Sequence, residues 1–155
     1  MSVRTSAGTT LKVSATTPET FDQAGYESTD VVYATVGEVT NFGEFGRVYN
    51  LVTHSPVATR GVQKFKGSFN EGTMELQLGL DTDDAGQVIM KAAALSDNDY
   101  SFLVTTQNGD KYYFQAKVMG FRVNVGSVDQ ITSAAVTLEL TLSAAGVGII
   151  TVLAA

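Results

Sequence analysis

Apolar and polar positions alternate along most of the chain, the period of two expected of β-strands with one buried face. Met74-Glu75-Leu76-Gln77-Leu78-Gly79-Leu80 puts Met74, Leu76, Leu78 and Leu80 on one side and Glu75 and Gln77 on the other. Val136 to Leu142 repeats the pattern, with Val136, Leu138, Leu140 and Leu142 inward and Thr137, Glu139 and Thr141 outward. Thr9 to Ser14 and Val31 to Thr40 read as strands from their β-branched and aromatic residues. Tyr100 to Gln107 and Lys111 to Phe121 flank Asn108-Gly109, two residues that tolerate positive φ, which predicts a tight hairpin.

Three stretches depart from this period. Thr17-Pro18-Glu19 has the form of an N-cap followed by proline at the first helical position, predicting one or two helical turns over Pro18 to Ala24, ended by Gly25. A longer helix is predicted over Asp83 to Leu95: Asp81 or Thr82 caps it, Asp83 and Asp84 favour its positive end, and Lys91 comes late. Ala85, Val88, Ile89, Ala92 and Leu95 follow helical spacing and form an apolar stripe expected to cover a sheet. Residues 41–72 are punctuated by Gly43, Gly46, Gly61, Gly67 and Gly72 and hold Arg47, Arg60, Lys64 and Lys66, which reads as a long loop with at most a short strand at Tyr49 to Thr53. Its aromatics, Phe42, Phe45, Tyr49, Phe65 and Phe69, need a surface to pack on. A contact between subunits is the expected use of this basic, aromatic segment.

The length of 155 residues fits one domain. A formal net charge of −6 argues against a protein that works by neutralising phosphates. Charged residues make up 17%, below the roughly 25% of an ordinary soluble domain, as expected where neighbouring subunits or a Thr- and Ser-rich β surface replace solvated charge. The absence of Cys removes disulfides, thiolate metal sites and cysteine nucleophiles. Residues 1–10 lack the apolar core of a signal peptide, and Ile149 to Ala155 is too short to span a bilayer, so no membrane role is expected.

Catalytic signatures are missing. His54, the single histidine, lies in Thr53-His54-Ser55-Pro56 with no G-x-S-x-G elbow in the chain. Asp81 to Gly86 resembles a calcium loop, but position five is Ala85 and position twelve is Ala92, so helix capping explains it better. Asp97-Asn98-Asp99 reads as a turn. No catalytic residue, metal ligand or cofactor site is assigned, and the expectation is a protein that is not an enzyme.

The order of features resembles the tail tube (major tail) proteins of long-tailed, lambda-like phages. The resemblance covers roughly residues 5–145. It is carried by the Gly8-Thr9-Thr10-Leu11 start, the strand, acidic turn and helix of Gly72 to Ala94, the Asn108-Gly109-Asp110 turn followed by KYYFQAKVMGF, and the Thr-rich strand from Ile131 to Ser143. It implies a mainly β fold, a β-sandwich or barrel with one flanking helix and a long inter-subunit loop. Hexameric rings would stack into a hollow tube that conducts double-stranded DNA from the capsid without sequence-specific binding. Implied partners are further copies of the chain and the tape measure, terminator and distal tail proteins. The implied location is the virion tail, assembled in the host cytoplasm.

On this reading residues 1–155 are one tail-tube domain, with terminal arms at 1–8 and 146–155. Glu38, Glu75 and Glu139 are expected to face the lumen, each from the polar side of a predicted strand. Phe42, Phe45, Arg47, Tyr49, Phe65 and Phe69 of the loop, and Ile149, Ile150, Val152 and Leu153 of the C-terminal arm, are the candidates for inter-subunit contact. The arm has two readings, a strand added to a neighbour or one completing its own sheet. A ligand- or carbohydrate-binding β-sandwich is the alternative function, disfavoured by the absence of Trp.

Overall fold

A computed structural model describes residues 3–154; residues 1, 2 and 155 of the terminal arms lie outside the described residues. Ten strands and two helices follow one another as β1 (Thr10–Ser14), α1 (Gln23–Tyr26), β2 (Ala34–Val36), β3 (Val39–Asn41), β4 (Val48–His54), β5 (Gln63–Asn70), β6 (Thr73–Gly79), α2 (Ala85–Ala94), β7 (Tyr100–Thr105), β8 (Lys111–Asn124), β9 (Ser133–Thr141) and β10 (Ile150–Val152). The main sheet has the order β2-β1-β7-β8-β9-β6-β3 with every pair antiparallel. β10 takes the edge of β8 at Lys111 to Tyr113, next to where β9 pairs from Gln115 onward. β4 and β5 form a separate two-stranded sheet.

The connectivity forces the main sheet to curl. β2 and β3 are its two ends, yet only Gly37 and Glu38 separate them in sequence. Three Cα–Cα steps reach at most about 11 Å, whereas six strand spacings laid flat would part the ends by about 29 Å. The sheet therefore wraps into a barrel-like form whose interior holds one core, with Leu11, Met74, Leu76, Leu78, Phe102, Phe114, Val136 and Leu138 at its centre. The expected alternation is observed in β6, where Met74, Leu76 and Leu78 are buried and Thr73, Glu75 and Gln77 exposed. In β9, Ala134, Val136, Leu138 and Leu140 point inward. The Asn108-Gly109 hairpin joins β7 to β8 as expected, with Gly109 at φ 96°.

Buried residues run without alternation along the middle of β7 because both its faces are covered. Phe102 and Val104 enter the main core, while Leu103 packs with Tyr26 and Tyr113 in a second cluster under α1 and β10. The Tyr26 and Tyr113 rings stack with centroids 5.2 Å apart. The buried Gln115 donates to the Tyr26 hydroxyl at 3.2 Å and to Ser101 Oγ at 2.8 Å.

Several expectations are corrected. α1 begins later than predicted, because Asp22 rather than Thr17 supplies the cap and accepts from the Gly25 N–H. Gly25 then lies inside the helix, where a Cβ would sit 1.8 Å from the Thr20 carbonyl oxygen. The strand predicted over Val31 to Thr40 is broken at Gly37-Glu38, with Glu38 at φ 62°, and so becomes β2 and β3. The long loop read over 41–72 contains the β4–β5 hairpin, whose strands lack a short turn signal because residues 55–62 join them.

The longer helix is present, but its buried face is not the predicted stripe. Gly86, Gln87, Met90 and Ala93 are buried, while Val88 and Leu95 are 53% and 90% exposed. Close approach explains the rotation. A Cβ on Gly86 would lie 2.3 Å from the Thr35 carbonyl oxygen, so the helix meets β2 on its glycine, turns Met90 and Ile89 to the core and leaves Val88 outside.

Candidate functional site

No enclosed reactive cluster is formed by the residues described. Among them no group of three or more His, Asp or Glu could hold a metal ion, and no helix is long and apolar enough to cross a membrane. Asp84 caps α2, accepting from the Gln87 N–H at 3.0 Å, and Asp99 pairs with Lys117. His54 lies exposed at the end of β4 opposite Gln63. The two features that remain are a polar sheet face and a projecting hairpin.

The polar face belongs to β6, β9 and the second half of β8. Register places Glu75 opposite Thr137 and Thr73 opposite Glu139, so both carboxylates share one side. Thr137 Oγ1 donates to the Glu75 carboxylate at 3.0 Å, and Thr73 Oγ1 donates to Glu139 Oε1 at 2.7 Å. These bonds orient the acids without removing their charge. On β8, Lys117 lies opposite Glu139, and a bulge between Val118 and Gly120 lets Arg122 share the same side. Arg122 Nη2 is 3.8 Å from Glu75 Oε2. Both cations of this region thus face carboxylates of their own chain.

Glu38 is not on a strand, because the break after β2 puts it in the two-residue linker. It nevertheless borders the same face: its carbonyl accepts from the Gly79 N–H at 2.8 Å, and a Cβ on Gly79 would lie 3.6 Å from the Glu38 Cβ. Thr73, Thr137, Lys117 and Arg122 complete the face and were missed as site residues. The polar alternation in β6 and β9 could have found the two threonines, whereas the bulge hides Arg122 from any count by twos.

Residues 41–72 divide into a root and an arm. At the root, Phe42 and Phe45 pack against the main core, and the Phe45 ring lies 5.3 Å from Tyr112 and 5.7 Å from Phe114. Arg47 Nε donates to the buried Glu71 carboxylate at 2.7 Å, and its guanidinium stands 3.9 Å over the Phe69 ring. In the arm, Tyr49 lies opposite Phe69 and Val52 opposite Phe65. Tyr49 and Val52 are three positions apart and would face opposite ways in a regular strand. The register shift between Tyr49 and Leu51 adds its extra residue to β5, so the two pairs stay on opposite faces: Lys66 Nζ stands 4.8 Å over the Tyr49 ring, while the Val52 side chain crowds Gly67. One face carries Tyr49, Leu51, Lys66 and Phe69 and the other Val52 and Phe65, all exposed.

The C-terminal residues lie on their own subunit. Ile149 packs against the main core, Ile150 and Val152 against the second cluster, and Leu153 is exposed. Of the two readings of this arm, the chain's own sheet receives it through β8. Asp110 Oδ1 accepts from the Ala154 N–H at 2.8 Å, and this bond, with one from Asn108, holds the Asp110 carboxyl below its ordinary value.

No family model matches the sequence, and no curated protein does. Solved structures do share the fold. A chain of the anti-feeding prophage baseplate superposes with a TM-score of 0.68 at 7% identity, over 98% of this chain and 97% of that one. A chain from the sheath/tube terminator of an extracellular contractile injection system, PVC, gives 0.65 at 9% identity over 99% of both. A chain of the PVC sheath-tube complex gives 0.54 at 9% identity, over 94% of this chain and 88% of that one. The mainly β fold expected from the resemblance to tail tube proteins is the fold observed.

Proposed function

We propose that this chain is the repeating structural unit of a tube in a phage tail or a tail-like injection device, and that it performs no catalysis. Copies assemble into hexameric rings that stack, with the face of β6, β9 and β8 turned to the bore and the β4–β5 hairpin reaching a neighbouring copy. Further contacts at the tube's ends and along its bore are to tape measure, terminator and distal tail proteins. The assembly occurs in the host cytoplasm, and the finished tube belongs to the virion tail.

The observation that carries this reading is the pairing of Lys117 with Asp99 and of Arg122 with Glu75 on a face that also bears Glu139. A bore for duplex DNA must not hold the phosphates it passes, since each Lys or Arg contact with phosphate adds affinity. Cations already facing carboxylates of their own chain are poor phosphate ligands, and the unpaired negative charge keeps the polyanion hydrated. The fold similarity to chains of contractile injection assemblies supports the same reading. So does the hairpin, because two strands alone are marginally stable in water and gain a covered face from a partner.

Electron microscopy of the purified protein over a range of concentrations tests the proposal. Annuli or hollow filaments are expected. Single globules at every concentration, or specific glycan binding by a stable monomer, would replace it with the binding-module alternative.

A further inference from the structure

The outward stripe on α2 forms one wall of a cleft. Val88, Ala92 and Leu95 face Phe121 and Val123 of β8, with Leu80 at the base, around a cavity of about 400 Å³. An exposed aliphatic helix stripe beside an aromatic ring is not a solvated surface. Its surroundings are acidic: residues 81–99 hold five Asp against the single Lys91, and Asp81 lines the cleft itself.

The hairpin is the complement on both counts. Its residues 48–70 carry Arg60, Lys64 and Lys66 and no acidic residue, and one face presents Val52 and Phe65 to solvent. On one chain, a basic apolar projection and an acidic apolar recess are therefore both left uncovered.

We propose that the α2–β8 cleft is the socket for the β4–β5 hairpin of a second copy of this chain. Val52 and Phe65 fill the apolar recess, while Arg60 in the turn of the hairpin approaches Asp81 and Asp83. Because projection and socket are different surfaces, the contact is head-to-tail, the type that propagates into rings or filaments instead of stopping at a two-fold dimer. The inference rests on the self-assembly reading above and names the surface through which it works.

The absence of native Cys makes the test direct. Full-length Phe65→Cys and Val88→Cys proteins, one carrying a size tag, are mixed under mild oxidation and compared with each protein alone. A cross-link between tagged and untagged chains in the mixture, in excess of either control, is expected. In parallel, V88D/L95D alters only exposed positions, so the subunit should keep its unfolding midpoint. It should need about tenfold or more protein for half-assembly, the scale of losing central interface anchors. Arg60→Glu should impair assembly in the same way, and Asp81→Lys with Asp83→Lys in the same chain should restore it. If tubes form but no cross-link appears and V88D/L95D assembles normally, the socket is overturned and the tube reading stands. If the unmodified protein is monomeric at every concentration and no cross-link appears, both fall. A cross-link without annuli or filaments supports the socket and removes the tube.

Discussion

Gln87 Nε2 donates to the Gly37 carbonyl oxygen at 3.0 Å, joining helix α2 to the linker between the two ends of the main sheet, 50 positions away in sequence. The same nitrogen donates to the Gly79 carbonyl at 2.9 Å, and Oε1 accepts from the Asp81 N–H at 2.9 Å. Asp84 reinforces the seam by accepting from the Gly37 N–H at 3.0 Å while it caps the helix. One buried amide thus satisfies the backbone where β2, β3, β6 and α2 converge.

Gln87→Leu is expected to lower folding stability by about 2–4 kcal/mol, since it strands two carbonyls and one N–H in a site with little water. Urea unfolding measures it. A loss under about 0.5 kcal/mol, the scale of an ordinary surface substitution, would show that the seam is held by something else.

The strands of the body were legible because their inner and outer faces differ in polarity, as Met74-Glu75-Leu76-Gln77-Leu78 does. The seam was not. Gln87 lies among apolar helix positions and carries no sign that it will be buried, and Gly86, whose contact with Thr35 turns the helix, resembles any glycine near a helix start. Val88, Ala92 and Leu95 do form an apolar stripe, but it is not the face that α2 buries. Periodicity reports that a face is apolar, and only packing decides what covers it. The β4–β5 hairpin stayed hidden for a related reason: neither face is purely apolar, Lys64 and Lys66 sharing one with Tyr49 and Leu51, and Asn50 and Ser68 the other with Val52 and Phe65, and a bulge interrupts the count by twos.

Glu71 anchors the root of that hairpin. Its side chain is 3% exposed and accepts from Arg47 Nε and, at 3.4 Å, from the Ile149 N–H. Arg47→Ala leaves the buried carboxylate without its cation. The expected loss of stability is smaller than for a fully enclosed pair because water reaches Arg47. The body should stay folded while the arm loosens, so limited proteolysis within residues 48–70 should quicken. Unchanged cleavage there would remove Arg47 and Glu71 from this role.

Phe65 contributes little to its own subunit, being 53% exposed on the arm. Phe65→Ala should leave the unfolding midpoint of the subunit unchanged and yet impair polymerisation, read by sedimentation at matched concentration. Phe45→Ala should do the reverse, destabilising the fold first, because its ring packs against Tyr112 and Phe114. Normal sedimentation of Phe65→Ala tubes would exclude the arm from assembly.

Acid should act first at two backbone pins. The Asp110 carboxyl is held below its ordinary 3.8 mainly by the Ala154 N–H, and that of Asp22 mainly by the Gly25 N–H. A carboxylate with a lowered folded value stabilises the fold fully above its unfolded value, and that contribution is lost as pH falls through the folded value. Near neutrality no effect is expected. Below about pH 4, the unfolded aspartate range, amide exchange in β10 and α1 should accelerate before exchange in β6 and β9. In Asp110→Asn the β10 amides should exchange faster already at pH 7, with less further change on acidification. Uniform acid loosening of all strands would contradict local pinning.

The bore-facing assignment makes the sharpest demand on charge. Thr137 and Thr73 orient Glu75 and Glu139, and Arg122 and Lys117 each face a carboxylate of their own chain. Replacing both glutamates by lysine removes the partner of Arg122 and puts two further cations on the face. Both positions are on the outer side of the sheet, so folding should survive. Assembled wild-type tubes should retain little duplex DNA even at low salt. Glu75→Lys with Glu139→Lys tubes should retain it, with affinity falling linearly in log salt, as phosphate contacts require. Retention by the wild type equal to that of the variant would mean that these carboxylates do not meet the DNA, and a different face would have to line the bore.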